Sequence, residues 1–408
     1  MPLRRSSPRK AILRGDLPDT FSRSLYRVAP YKGCAHGCRY CDGRAEKYYV
    51  EGDFERDIEV RESIPELFAT ELPRLRERGL IAFGSGVTDP YQPCEASENL
   101  TGACARLLAD SASQPALVMT KSSLVLRDLA AWTSVNERCG FVLLVSLTSL
   151  DEKLRSLMEP GASPFAERLA AIRAFKAAGC AAGILAMPLL PGISDGDASI
   201  AALYAAAAEA GADFVMPGGL TLRPGRQKEL YLETLGTARP ELLPGTREVY
   251  REERPSGAPI RTASRSLMGR IAPIRRELGM PWLLPHRVYA RMLPPHDALH
   301  LLLRDMIELY SERGVDTSGL MLAADRYDAW LIGLRRQFRR KRSLPAAWLE
   351  ERFAGALEEG ELDRVLDNRR LASFAGTVLR EGAILNFSNL RLESPSSVTK
   401  PWDFNRPD

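Results

Sequence analysis

The sequence lacks the means to build a disulfide framework or a membrane span. It has seven cysteines in 408 residues, an odd number, and three of them sit in a motif that needs free thiolates, so paired staples are not expected. A reducing, cytoplasmic setting is. The first thirty residues carry charge throughout and no apolar segment, which predicts no signal peptide. No run approaches the roughly eighteen apolar residues of a membrane helix, and the longest apolar stretch, Ala181 to Ile193, is broken by Pro188 and Pro191. Strong charge of one sign is also missing. The net charge of +4, from 56 basic and 52 acidic residues, is too mild to announce nucleic acid.

The cations are nevertheless unevenly spread. Arg4, Arg5, Arg9, Lys10 and Arg14 make the amino terminus basic, and Arg335, Arg336, Arg339, Arg340, Lys341 and Arg342 place six cations in eight residues. Either group could track phosphates. Either could equally be a solvated helix face or arm.

What stands out is Gly33-Cys34-Ala35-His36-Gly37-Cys38-Arg39-Tyr40-Cys41. Three thiolates at C-x-x-x-C-x-x-C spacing can ligate three irons of a four-iron, four-sulfur (4Fe-4S) cube, leaving the fourth iron open. Gly33 and Gly37 suit a loop that must fold tightly. A structural zinc site is the competing reading, with His36 as a fourth ligand, but no second C-x-x-C pair supports it. Ordinary core cysteines are the third.

Along the chain, short apolar strands alternate with helices. Strands are expected at Leu25–Tyr31, Leu80–Phe83, Ala116–Met119, Phe141–Leu147, Ala181–Leu189 and Phe214–Met216. Helices are expected at 64–78, 99–113, 124–138, 165–178 and 200–210. This predicts an α/β fold with a parallel sheet covered by helices. Prolines interrupt the pattern after about 240, and helices resume at 298–313, 323–340, 345–358 and 362–379. The expected division is a basic extension over 1–24, a core over 25–240 and a mostly helical region over 241–408 that covers the sheet's open side. Cys34, Thr88, Asp89, Lys121 and Ser146 then fall at the carboxyl ends of strands, where such folds build their sites.

The cysteine motif, with an aromatic before its last cysteine, resembles that of the radical S-adenosylmethionine superfamily. Tyr31 to Cys38, Thr88-Asp89-Pro90-Tyr91-Gln92, Thr120-Lys121-Ser122 and Ser146-Leu147-Thr148 make it similar to the spore photoproduct lyase group. The resemblance implies an open, six-stranded (β/α)6 partial TIM barrel. It implies a 4Fe-4S cluster on Cys34, Cys38 and Cys41 that cleaves S-adenosylmethionine to methionine and a 5′-deoxyadenosyl radical. Tyr40, Thr88, Asp89, Lys121 and Ser146 become cofactor-binding candidates, with Lys121 pairing the cofactor carboxylate. An electron donor such as flavodoxin or ferredoxin and a nucleic-acid substrate are the implied partners. The sequence departs from the lyases at two points. Their hydrogen-donating cysteine falls at Ser85 or Gly86, and a tyrosine after the last cluster cysteine is Asp42. Cys94 is the candidate replacement donor. Three functions follow: a lyase-like enzyme on DNA, a radical enzyme on another substrate, or a non-catalytic metal-binding module. Oligomeric state is not legible.

Overall fold

The computed structural model describes residues 3–84 and 86–394. Its main sheet contains β1 (Leu13–Arg14), β2 (Tyr26–Val28), β3 (Ile81–Phe83), β4 (Ala116–Thr120), β5 (Phe141–Ser146), β6 (Ala181–Leu189) and β7 (Phe214–Gly219). Strands β2 to β7 lie side by side in chain order and pair in parallel, while β1 pairs antiparallel with β2 at one edge. The sheet is therefore seven-stranded, not six. The extra strand comes from the segment expected to be an extension, because Ala11 and Ile12 are buried and their N–H groups donate to the Glu71 carboxylate. Arg4–Ser6 is likewise in structure, paired in parallel with Glu59–Arg61 in a small second sheet that also takes in Tyr31–Lys32.

Both faces of the parallel strands are buried, as expected for a sheet sandwiched between helical layers. On one face Val118, Phe141, Leu143, Val145, Ile184 and Val215 share a core with α1 (Ile64–Glu71), α2 (Leu100–Ser111), α3 (Leu129–Arg138), Phe165–Ala177 and Asp197–Glu209. The alternate residues, Leu117, Val142, Leu144, Leu185, Phe214 and Met216, face the other way. They share a second core with the carboxy-terminal helices at Pro295–Ser311, Ser318–Arg340, Trp348–Glu358, Glu361–Leu366 and Arg369–Glu381. The late helices thus pack on the sheet face that the earlier ones leave bare. Arg261–Glu277 is also a helix, although Pro273 lies within it, because Leu267 and Ile271 bury one stripe. The single helix expected over 362–379 is two, since Asp367 takes a φ of +46° and the Asn368 side chain caps the second.

The basic run at 335–342 is partly internal. Arg335 is buried and donates to Glu77, Asp297 and the Asp16 carbonyl, while Arg339 reaches Asp16 and Glu77. Glu77 lies four residues before the start of β3, so this run stands at the amino ends of the strands, opposite the cysteine loop. Among the described residues no helix is long and apolar enough to cross a membrane.

Two buried histidines give the helical layer a pH dependence. His286 accepts a hydrogen bond from Leu385 N–H through Nδ1, and burial pushes its pKa down to about 3. Burial pushes His296 down to about 4. In the unfolded chain both titrate near 6.5, so between about 6.5 and 4 the unfolded state binds more protons and stability falls as pH drops. The thermal midpoint is expected to decline across that window, with a combined loss on the order of a few kcal/mol. A His286→Gln, His296→Gln variant should flatten the decline; an unchanged slope would place its origin elsewhere.

Candidate active site

The cysteine loop leaves Lys32 and turns at Gly33 (φ +80°) and Gly37 (φ +64°), positions that side-chain-bearing residues adopt only with strain. Cys34 and Cys38 are buried, Cys41 is half-buried, and all are free thiols. Burial raises the pKa of each, Cys38 to about 12. Lys121 pulls in the opposite direction on Cys38 and Cys41. Among the described residues no three His, Cys, Asp or Glu side chains are arranged to hold one metal ion. A cube instead takes one thiolate at each iron, so its ligands stand apart.

His36 is not placed as a fourth ligand. Its Nδ1 lies 2.9 Å from the Gly161 carbonyl and its Nε2 3.2 Å from Asp89. His300, four residues after His296 on the helix Pro295–Ser311, is engaged with Asp328 and the Pro18 carbonyl.

The Thr88 to Gln92 segment, which follows β3, grips the loop. The Thr88 hydroxyl donates to the Gly33 carbonyl at 2.8 Å. Gln92 accepts from Ala35 N–H at 2.8 Å and donates to the Gly33 carbonyl at 3.2 Å. Asp89 accepts from the Thr120 hydroxyl, from Lys121 N–H and from Tyr91 N–H. Burial alone would raise its pKa, but His36 and these donors hold it below the ordinary carboxylate value. Thr88 and Asp89, expected to contact the cofactor, are therefore occupied in fixing the cysteine loop against the end of β4.

A second grip comes from 158–163, between the helix α4 (Glu152–Met158) and α5 (Phe165–Ala177). Met158 accepts from Arg39 N–H, and Gly161 donates to the His36 carbonyl, both at 2.9 Å. A Cβ on Gly161 would lie 2.2 Å from the Ala35 carbonyl oxygen. Glu159 and Arg168 are fully buried and bonded to each other at 2.5 Å. Glu159 also accepts from the hydroxyls of Tyr40 and Thr148. Sequence reasoning singled out the segment ending at Gln92 without giving that residue a role, and missed Glu159, Gly161 and Arg168.

Lys121 and Ser146 are the expected residues that stay available. Strand alternation continues the line of Leu117 and Met119 to Lys121, and that of Val142 and Leu144 to Ser146. Both stand at strand ends on the face toward the carboxy-terminal helices. The Lys121 ammonium lies 5.8 Å from the centre of the Tyr40 ring. Burial alone would lower its pKa, yet Cys38 and Glu159 hold it above the ordinary lysine value. Neither its Nζ nor the Ser146 hydroxyl takes a hydrogen bond among the described residues, whereas the Ser146 carbonyl accepts from Arg168 at 2.9 Å.

Cys94 is half-buried and packs with Tyr31, Ile58, Val60 and Leu100 in a cluster that also takes in Ala35 of the cysteine loop; burial, with Glu95 and Glu98, pushes its pKa up to about 12 and so keeps the S–H bond intact. The Gly86 carbonyl is 4.0 Å from Cys41 Sγ; Ser85 lies outside the described residues. Asp42 accepts from Tyr48 at 2.5 Å and pairs with Arg223 at 2.6 Å.

The family model for the radical S-adenosylmethionine superfamily matches residues 28–204, the span holding both grips and the cysteines. The chain belongs to that superfamily. Two proteins described as uncharacterized, from Mycobacterium tuberculosis and Mycobacterium bovis, are 33% identical over 231 residues, 55% of this chain and 67% of theirs. Among solved structures, spore photoproduct lyase complexed with dinucleoside spore photoproduct has a TM-score of 0.51 at 17% identity. That match covers 67% of this chain and 79% of that one. At such identity the likeness is one of fold.

Gly161→Ala is expected to displace the cysteine loop, because the new methyl would overlap the Ala35 carbonyl. Overpacking of this kind costs roughly 1–3 kcal/mol. The variant should show a lower denaturation midpoint and less iron per chain after anaerobic reconstitution; wild-type values in both would show that the loop accommodates the methyl.

Proposed function

We propose that the protein is a radical enzyme in which Cys34, Cys38 and Cys41 hold a 4Fe-4S cluster and Lys121, Ser146 and Tyr40 receive S-adenosylmethionine. When bound, the cluster supplies the electron that cleaves the cofactor's carbon–sulfur bond, leaving methionine and a 5′-deoxyadenosyl radical. That electron comes from an outside reductant such as flavodoxin or ferredoxin. The observation that carries the reading is three thiols on one loop at the strand ends, near a lysine ammonium that forms no carboxylate ion pair among the described residues. A cation left in that condition suits the carboxylate of an amino-acid ligand. The hydroxyl of Ser146 offers a further hydrogen bond, and the Tyr40 ring lines the same space. Thr88 and Asp89 serve by holding the loop. We further read the sheet as an open partial barrel with its mouth at these strand ends.

Anaerobic reconstitution should give about four irons per chain, and alanine at any of Cys34, Cys38 or Cys41 should abolish them. A triple variant that kept its iron would end the assignment, and a single bound zinc would favour a metal-binding module. Lys121→Ala should leave the cluster in place and cost roughly 1.5–3 kcal/mol of cofactor binding, tenfold to over a hundredfold in affinity. Equal affinity by calorimetry would remove Lys121 from the site.

The substrate is expected to differ from spore photoproduct. A thiol's weak S–H bond suits it to return a hydrogen to a carbon radical; Gly86 has no such group, and Cys94 packs among Tyr31, Ile58, Val60 and Leu100. Cofactor cleavage without thymine recovery from a dinucleoside photoproduct is the expected outcome, unaltered by Cys94→Ala. Efficient recovery by the wild type, lost in that variant, would reinstate repair with Cys94 as donor.

A further inference from the structure

We propose that Glu159 and Arg168 act as a positioning pair that sets where S-adenosylmethionine binds relative to the cysteine loop, an inference that rests on the radical-enzyme reading above. Neither side chain is exposed to solvent, and nothing in the assigned machinery requires a charge at either position. A buried ion pair contributes little net stability over well-packed apolar residues, so stability alone does not account for one here. Its connections do.

The Glu159 carboxylate takes the Tyr40 hydroxyl from the cysteine loop and the Thr148 hydroxyl, two residues beyond Ser146 at 3.1 Å. The Arg168 guanidinium takes the Ser146 carbonyl at the end of β5 at 2.9 Å and the Ser163 carbonyl at 2.8 Å. Ser163 N–H in turn donates to the Lys121 carbonyl at 3.2 Å. Through five polar contacts the pair and its loop therefore join the three places from which the cofactor-facing groups emerge: Tyr40 on the cysteine loop, Lys121 after β4 and Ser146 on β5.

The pair also shapes the charge in that space. Arg168 and Lys121 keep Glu159 ionised against the penalty of burial. Glu159 in turn helps keep Lys121 charged. An apolar pair of equal volume could fill the same space but could fix neither the Tyr40 ring nor the Ser146 carbonyl. Fully hydrogen-bonded supports of this kind orient the groups that touch a ligand without touching it themselves.

The test is Glu159→Gln, which keeps the side chain's size and removes its charge, with Tyr40→Phe, which removes only the hydroxyl donated to it. Both are reconstituted anaerobically and titrated with S-adenosylmethionine, following affinity and the change the cofactor causes in the reduced cluster's electron paramagnetic resonance spectrum. Glu159→Gln should keep its iron, bind the cofactor about tenfold or more weakly and show an altered spectral change. Tyr40→Phe should move both readouts the same way by less, and the double variant should be no weaker than Glu159→Gln, as for groups acting as one unit. Wild-type affinity and spectrum in an iron-loaded Glu159→Gln protein would overturn the proposal. If that variant fails to hold iron, Tyr40→Phe decides alone, and its wild-type behaviour overturns the proposal equally. Failure of the underlying reading looks different, since the wild type itself would then lack the cluster or the response to S-adenosylmethionine.

Discussion

The site depends on one constraint: a short loop carrying three thiols must keep its shape with little internal bonding. Turn bonds from Gly37 N–H to Cys34 and from Cys41 N–H to Cys38 are long, at 3.2 and 3.3 Å. The loop's shape is set from outside by two carboxylates and their neighbours. Asp89, Gln92 and Gly161 hold its first half at Ala35 and His36, and Met158 and Glu159 hold its second half at Arg39 and Tyr40. Because both carboxylates are buried, each needs its full set of donors, and those donors come from the cysteine loop, from the chain at and just beyond the ends of β4 and β5, and from α5. Satisfying the acids therefore ties the loop to those strand ends.

The same rule governs the rest of the polar interior. Arg335 joins the amino-terminal segment, the start of β3 and the helix Pro295–Ser311 through Asp16, Glu77 and Asp297. Arg23 pairs with Asp305 at 2.8 Å, both buried. Asp305, Arg335 and Arg339 of the carboxy-terminal layer thus dock it against the earlier part of the chain. This is why the cationic run at 335–342 misleads when read as a line of letters: Arg335 and Arg339 turn inward, and only their neighbours face solvent.

Much of the fold was legible because it rests on periodicity. Strands β3 to β7 and the helices between them lie close to their expected places, since burial on two faces leaves continuous apolar runs such as Phe141 to Val145. The errors fall where tertiary contact overrides local pattern. Leu13–Arg14 is too short and polar to read as a strand, and only the waiting edge of β2 makes it one. Pro273 lies inside a helix whose apolar stripe outweighs the lost hydrogen bond. At the site, the cysteines were legible from spacing and Lys121 from resemblance. Glu159 and Arg168 were not, because eight residues of intervening chain give no sign that the two meet or that Tyr40, over a hundred residues away, joins them.

The inner sheet face explains why the chemistry gathers at one end. Lower along the strands, Leu117, Val142, Leu144, Leu185 and Phe214 are sealed by Leu299, Leu302 and their helical neighbours, so no ligand enters there. Nearer the carboxyl ends the face changes to Gly84, Lys121, Ser146, Met187 and Gly218. A Cβ on Gly218 would lie 2.8 Å from Met187 Cγ, so that glycine makes room for the methionine, which narrows this side of the mouth. On the other side, Gly84 takes a φ of +104°, and the Gly86 carbonyl lies 4.0 Å from the sulfur of Cys41, the least buried of the three cysteines.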